Sequence, residues 1–345
     1  MKNLTQEALD KILASTAAKK HIHGAAFRVE AADGSFSLMS AAGNMQPDTP
    51  FYIASVNKII LAAVTLRLVR DGRLGLDDKI RAYLPAGLMQ GLHVYKGLDY
   101  AEELTIRHLI SQTSGLPCYL IDKCPGQPKL MKELLSSQDA AWPLEKTIEQ
   151  VKQMRTKFAP GQPGKASYGN TNFKLLGRIL ESVMAQPLDQ ILAAVFEELG
   201  MAATYVISLQ ESRTFSPFYH KSHQVSLPLY LSSSRYDIVS TTQDLMTFVK
   251  AFFNGHFYPK NRLQELEQWN SIFFPFKYGI GIQKFYTPRL LSPFKAIPDL
   301  IGHCGSTGTA AFYIPAKSAF VTGAINQASS PSMLFQTLIK IANKL

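Results

Sequence analysis

Apolar residues recur at helical spacing in residues 4–19, at Leu4, Ala8, Leu9, Ile12 and Leu13, which predicts an opening amphipathic helix. The period then drops to two. Alternating runs from Gly24 to Glu30 and from Ser35 to Ser40 flank Asp33-Gly34, a hairpin turn signal. A polar loop through Pro47 and Pro50 leads into Phe51-Tyr-Ile-Ala-Ser55-Val-Asn-Lys58 and the apolar run that follows. This stretch reads as the start of a buried helix reaching about Arg70, with Asp71-Gly72 as its C-cap. Residues 73–85 are loop-rich, and a short helix within Leu104–Pro117 stops at Gly115-Leu-Pro. Residues 118–142 carry Pro, Gly and Ser and read as an excursion near the surface, placed to lie over a site. Helical patterns fill 144–156, 171–185, 187–200 and 241–255. From about 276 strands return, at Tyr278–Phe285, Thr309–Ile314 and Ala319–Ile325, and 331–344 closes the chain as a helix.

Strands thus lie at both ends and helices in the middle. The fold class expected is α/β (α+β): one antiparallel sheet built from both chain ends and flanked by the terminal helices. Residues 1–75 and 276–345 form this sheet domain, and residues 76–275 form a mostly helical inserted subdomain. The Ser55 helix falls at the junction, where clefts form.

Ser55 and Lys58 stand three residues apart and share a helix face. A lysine in a helix's first turn opposes the macrodipole, and an ammonium among Ile, Leu and Val is costly to desolvate. Both effects push Lys58 towards its neutral form or towards a partner that holds its charge. Ser55 sits where the dipole favours a developing negative charge, as an activated nucleophile needs. The plainer reading is an N-cap serine with a lysine snorkelling to water, although Glu or Gln at the third position suits such a cap better. A second Ser-x-x-Lys, Ser292-Pro-Phe-Lys295, lies among prolines and shows no helical pattern.

Two other segments carry chemistry. Ala166-Ser-Tyr168-Gly-Asn170 is a polar turn ahead of a helix; its plain reading is a turn in which Asn170 bonds the backbone and Tyr168 covers the core. Ile301-Gly-His303-Cys-Gly305-Ser306-Thr-Gly leads to the strand at 309, with Gly305 allowing a substrate close to the backbone. Its plain reading is a strand-edge turn with a satisfied histidine. Cys304 beside His303 is a rival nucleophile on paper, but adjacent strand residues point to opposite faces.

Taken in order, Ser55-Val-Asn-Lys58, Tyr168-Gly-Asn170 and His303-Cys-Gly305 resemble the three motifs of the penicillin-recognising serine hydrolases. The nearest branch is the class C β-lactamase, family VIII carboxylesterase and DD-peptidase-like group, and the resemblance runs over roughly residues 20–340. It implies a β-lactamase/transpeptidase-like fold and an acyl-enzyme on Ser55. It further implies Tyr168 and Lys58 acting together as general base, the proton assignable to either. The backbone N–H groups of Ser55 and Ser306 would form an oxyanion hole. Asn170 would meet the acyl chain or Lys58, and His303, standing where most such β-lactamases have lysine, would orient Tyr168 or meet a substrate oxygen. Two further departures are Gln112, where relatives often have His, and the glycine-free Ser232-Ser-Ser-Arg-Tyr stretch.

Composition narrows the partners. A chain of 345 residues with 46% apolar and 18% charged residues is ordinary for a globular protein. The net charge of +10 is spread without a basic stripe, so no nucleic-acid partner is expected. No apolar run is long enough to span a bilayer, and the N-terminus lacks the apolar core of a signal peptide, so a cytoplasmic location without membrane contact is the expectation. The three cysteines fit a reducing compartment, with Cys118 and Cys124 close enough to pair under oxidation but expected as thiols. No metal-ligand spacing occurs and no cofactor is implied. The expected substrate is a small acyl compound, turned over by an esterase or amidase with poor β-lactamase activity. An acyltransferase, or a sensing protein acylated once, is the alternative. The aromatics between Phe252 and Tyr278 are read mainly as core and secondarily as an acyl pocket. Oligomeric state is open.

Overall fold

The computed structural model describes residues 4–288 and 296–345; the second Ser-x-x-Lys, Ser292–Lys295, lies outside them. An eight-stranded antiparallel sheet forms the frame. Its spatial order is Asn270–Phe273, Phe276–Tyr278, Gln283–Phe285, Leu300–Gly305, Thr309–Ile314, Ala319–Ala324, Gly24–Ala31 and Ser37–Gly43. The two chain ends meet where Phe27 pairs with Gly323 and Val29 with Val321.

Alternation along the strands decides which face each side chain joins. Phe27, Val29, Leu300, Phe312 and Val321 pack on one face against Leu9 and Leu13 of the helix Gln6–Ala17 and Leu334 and Leu338 of the helix Pro331–Ala342. Ala26, Ile301, Ala311 and Ala324 turn to the other face, towards the helix Asn57–Arg70. That helix is buried almost all round: Ile59, Ile60, Leu61 and Leu66 have no exposure. Each such side chain contributes roughly 1.5–3 kcal/mol through its removal from water. Its polar end is marked by Arg67, bonded to Glu198 through its two terminal guanidinium nitrogens at 2.6 and 2.9 Å, and by Gly72 at φ +68°, where the chain leaves the helix. The helix Thr242–Phe253 covers the same face further along, with Met246 and Val249 on Phe320.

Two expectations change. Tyr278–Phe285 is not one strand but a hairpin, in which Phe276 pairs with Phe285 and Tyr278 with Gln283. Gly281 at φ +74° reverses the chain there, and its close contact with the Ala62 side chain leaves no room for a Cβ. The segment from Leu300 to Gly305 is a central strand, paired on both sides, rather than a turn at a strand edge.

Between the two terminal segments lie the helices Leu144–Gln153, Asn170–Met184 and Leu188–Glu198, with short sheets that include Phe51–Tyr52 paired to Ile238–Ser240. Among the described residues no single helix is long and apolar enough to cross a membrane; one pair, Asn170–Met184 with Leu188–Glu198, passes that test only jointly and is bent by 81°. All three cysteines are free thiols.

Candidate active site

Ser55 does not sit in the first turn of the α-helix. It occupies a single 3₁₀ turn, Ala54–Val56, and the α-helix starts at Asn57. Ala54 holds φ +47°, a left-handed conformation unusual for alanine and a local source of strain. The N-cap reading fails, because the Ser55 hydroxyl caps nothing and instead takes a 2.9 Å hydrogen bond from Lys58 Nζ. Lys58 is 3% exposed, so the snorkelling alternative fails too. Its Nζ lies 5.3 Å from the centre of the Tyr168 ring and 5.8 Å from that of Phe173. Burial lowers its pKa from 10.5 to about 8, against the opposing pull of acidic neighbours, Cys118 before Asp237.

Tyr168 approaches from the turn before the helix Asn170–Met184. Burial, and then neighbouring Tyr278, push its hydroxyl well above the usual tyrosine range, while its interaction with the Ser55 hydroxyl acts the other way. The ring stands among Tyr278, His303 and Phe273 at centroid distances of 6.1, 6.2 and 6.3 Å. The Tyr168 turn is held in place largely by one side chain. Gln112 Oε1 accepts from Gly169 N–H at 2.9 Å and from Asn172 Nδ2 at 2.6 Å, and the Gln112 carbonyl accepts from Ser167 N–H at 2.9 Å. Asn170 N–H donates to Cys118 Sγ at 3.3 Å, and Asn170 Oδ1 is buried without a partner.

The third segment closes the site through backbone contact. A Cβ on Gly305 would stand 2.5 Å from the Ile53 carbonyl oxygen and 2.1 Å from Thr309 Oγ1. What approaches Gly305 closely is therefore the chain's own turn at Ile53–Ala54, not the substrate expected there. Thr309 Oγ1 donates to the Ile53 carbonyl at 2.8 Å and Thr307 Oγ1 to the Tyr52 carbonyl at 3.3 Å, locking the Ser55 turn to the sheet. Gly305→Ala is expected to cost about 1–3 kcal/mol from overpacking and to lower turnover with it; urea unfolding and an activity assay check both.

Ser55, Lys58, Asn170 and Ser306 share the wall of one cavity of about 190 Å³. Among the described residues the Ser306 N–H makes no hydrogen bond, and N–H groups at the start of a helix have no partner within it. His303 is absent from that wall. It is fully buried, its Nδ1 2.7 Å from the Cys304 carbonyl oxygen and its Nε2 3.2 Å from the Tyr278 hydroxyl. Donation from Nδ1–H to the carbonyl leaves Nε2 to accept from Tyr278. Burial, then the Lys58 charge, lower its pKa to about 3, so the ring is neutral at ordinary pH. Cys304 faces the opposite side of the sheet, where it packs among residues under the terminal helices. Its thiol donates to Gln283 Oε1 at 3.1 Å and is pushed up to about 12 by burial, which removes it as a nucleophile.

A model of the Beta-lactamase family matches residues 9–343. The chain belongs to the Beta-lactamase family. Among curated proteins this Beta-lactamase family member is similar to the esterase EstB of Burkholderia gladioli, 31% identical over 180 residues. That match covers 51% of this chain and 43% of EstB, so it spans less than half of that relative's length. It is also similar to a putative D-alanyl-D-alanine carboxypeptidase of Escherichia coli K12, 25% identical over 335 residues, covering 87% of this chain and 74% of the relative. A solved D-stereospecific amidohydrolase from a Streptomyces species shares the fold with a TM-score of 0.77 at 23% identity, covering 96% of this chain and 98% of that one.

Sequence reasoning missed two parts of the site in this family member. Gln112 was noticed only as a departure, and its grip on the Tyr168 turn was not read. Asp237 was not singled out at all. It lies beside the Ser55 turn because Phe51–Tyr52 pairs with Ile238–Ser240, and its Oδ1 accepts from the Tyr52 hydroxyl at 2.6 Å. The only sequence signal was a carboxylate between Tyr236 and the apolar Ile238-Val239. The aromatics between Phe252 and Tyr278 do not line the cavity; Phe252, Phe257 and Tyr278 are core. The excursion at 118–142 does line it, through Tyr119, Leu120 and the short helix Leu130–Leu135.

Proposed function

We propose that this chain is a serine hydrolase that forms an acyl-enzyme on Ser55, acting as an esterase or amidase on small acyl compounds. The observation that carries the reading is the 2.9 Å contact between Ser55 Oγ and a buried Lys58, on the wall of a cavity sized for a small acyl group. Of the two candidate bases, Lys58 is displaced towards neutral pH and Tyr168 away from it, so neutral Lys58 takes the Ser55 proton. As the proton leaves, Oγ bonds to the acyl carbon and the carbonyl electron pair moves onto oxygen, towards the Ser55 and Ser306 N–H groups. Collapse expels the alkoxide or amine, which takes a proton from Lys58 with the Tyr168 hydroxyl as relay. Water then repeats the sequence: it gives a proton to Lys58 as its oxygen bonds to the acyl carbon, and Lys58 returns that proton to Ser55 Oγ as the bond to Ser55 breaks and the acid is released. His303 supports the Tyr168 ring from behind and meets no substrate. EstB and the Streptomyces amidohydrolase, an esterase and an amidohydrolase by name, support the same class of chemistry.

The test is hydrolysis of short-chain 4-nitrophenyl esters across pH. A base with a pKa of about 8 makes kcat/KM rise about tenfold per pH unit below that value and level off above it. A flat profile from pH 6 to 9 contradicts Lys58 as the base, and a complete lack of turnover contradicts the hydrolase.

A further inference from the structure

We propose that the acyl group this cavity accepts carries an amine, so that the substrate is an aminoacyl ester or amide whose ammonium is held by Asp237 and Asn57. The inference rests on the hydrolase reading above and names its substrate class.

The charges on the wall point this way. Among the described residues lining the cavity, Lys58 and Asp237 are the only charged side chains. Lys58 is engaged with Ser55. The hydrogen bonds to the Asp237 carboxylate converge on Oδ1, from Tyr52 at 2.6 Å and more weakly from Asn57 Nδ2 at 3.5 Å. The Ser234 side chain also interacts with the carboxyl, and like Tyr52 and Asn57 it is neutral. Ser234 Oγ also donates to the Leu231 carbonyl at 3.0 Å and accepts from the Asp237 N–H at 2.9 Å. The other nearby cation, Lys174, is bonded to the Trp142 carbonyl and to Thr147 Oγ1. Asp237 thus has no ion-pair partner of its own among the described residues, although it is only 6% exposed. A buried carboxylate in that state is costly unless something cationic completes it.

A second observation agrees independently. Asn57 is 2% exposed and lies on the same wall. Its Nδ2 donates to the Tyr236 carbonyl at 3.0 Å, which assigns the amide orientation and leaves Oδ1 buried with no donor. Carboxylate and amide oxygen are both acceptors, so the missing ligand group is a donor, and an ammonium offers three N–H bonds. Tyr52, Tyr119, Tyr230 and Tyr236 complete this side of the wall. Their phenolic oxygens and ring faces also favour a cation. The remaining wall, including Leu120, Leu134 and Leu231, is apolar and suits a short carbon chain. The result is an acyl site with one cationic subsite beside the nucleophile.

The experiment compares 4-nitrophenyl esters of butyrate, of 3-aminobutyrate and of both hands of 2-aminobutyrate, at one pH, with wild type and Asp237→Asn. Asparagine still accepts from Tyr52 but removes the negative charge. Any effect of the substitution on Lys58 falls equally on all the esters, so the ratio of amino to plain ester isolates recognition of the amine. The wild type is expected to favour at least one amino ester over butyrate by about 100-fold in kcat/KM, because a site built around a polar group rejects the analogue lacking it. Asp237→Asn is expected to cut that ratio at least tenfold. Turnover of butyrate with a wild-type ratio near one, or a ratio the substitution does not move, overturns this inference and leaves the hydrolase standing. No turnover of any ester overturns the hydrolase and this inference with it.

Discussion

Ser55→Ala is expected to reduce ester hydrolysis by about 10⁴-fold or more, the scale on which a nucleophile that works as part of a unit fails when removed. The substitution should leave the fold in place. The Ser55 turn is held by the Val56 N–H to Ile53 carbonyl bond at 3.2 Å, by Thr307 and Thr309, and by the close seat of Gly305, none of which uses the Ser55 hydroxyl. Thermal unfolding within a few degrees of wild type, together with lost turnover, is therefore the expected pair of results. Residual activity above about a tenth would mean that another group carries the chemistry.

Lys58→Met is expected to cost about 10²–10⁴-fold in kcat, the usual contribution of a positioned base. Methionine matches the stem of lysine in length and fits between the Tyr168 and Phe173 rings. Stability should move in the opposite direction from activity. The folded-state pKa of Lys58 is depressed from 10.5 to about 8, so between those values the unfolded chain binds more protons than the folded one. Protonation therefore favours unfolding, with full effect below pH 8 and a loss of that effect as pH rises towards 10.5. The variant should unfold at a higher temperature than wild type near pH 7, and the gap should shrink towards pH 10. A variant less stable than wild type at pH 7 would show that the ammonium is held by a partner strong enough to repay its burial.

The sheet was legible where local pattern and burial agree. Gly24–Ala31 and Thr309–Ile314 alternate between two covered faces, and the terminal helices show a plain apolar stripe. The pattern misled at Tyr278–Phe285, because a hairpin whose turn is Gly279-Ile-Gly-Ile keeps an alternation of small and large residues through the reversal. Asn270–Phe273 was hidden among aromatics, two of its four residues being exposed at the sheet edge. At the candidate site, Ser55 and Lys58 drew attention because a lysine is out of place at the start of a buried helix, whereas Tyr168 was assigned only through the resemblance of its turn to a family motif. Gly305 was noticed for the right flexibility and the wrong neighbour, since only the tertiary fold brings Ile53 against it. For His303 the resemblance left two roles open, orienting Tyr168 or meeting a substrate oxygen; inside a paired strand it is buried beside the Tyr168 ring and off the cavity wall. Asp237 could not be found from local sequence, because its meaning depends on pairing between residues 51–52 and 238–240, far apart in the chain.

The central claim is a covalent acyl group on Ser55. The most direct measurement is the intact mass of the protein quenched in acid during turnover of a slow ester, followed by peptide mapping of any adduct. A mass increase equal to the acyl group minus one hydrogen, mapped to the peptide carrying Ser55 and absent from Ser55→Ala, is the predicted result. Turnover without an adduct on that peptide, or an adduct that persists in Ser55→Ala, would contradict it.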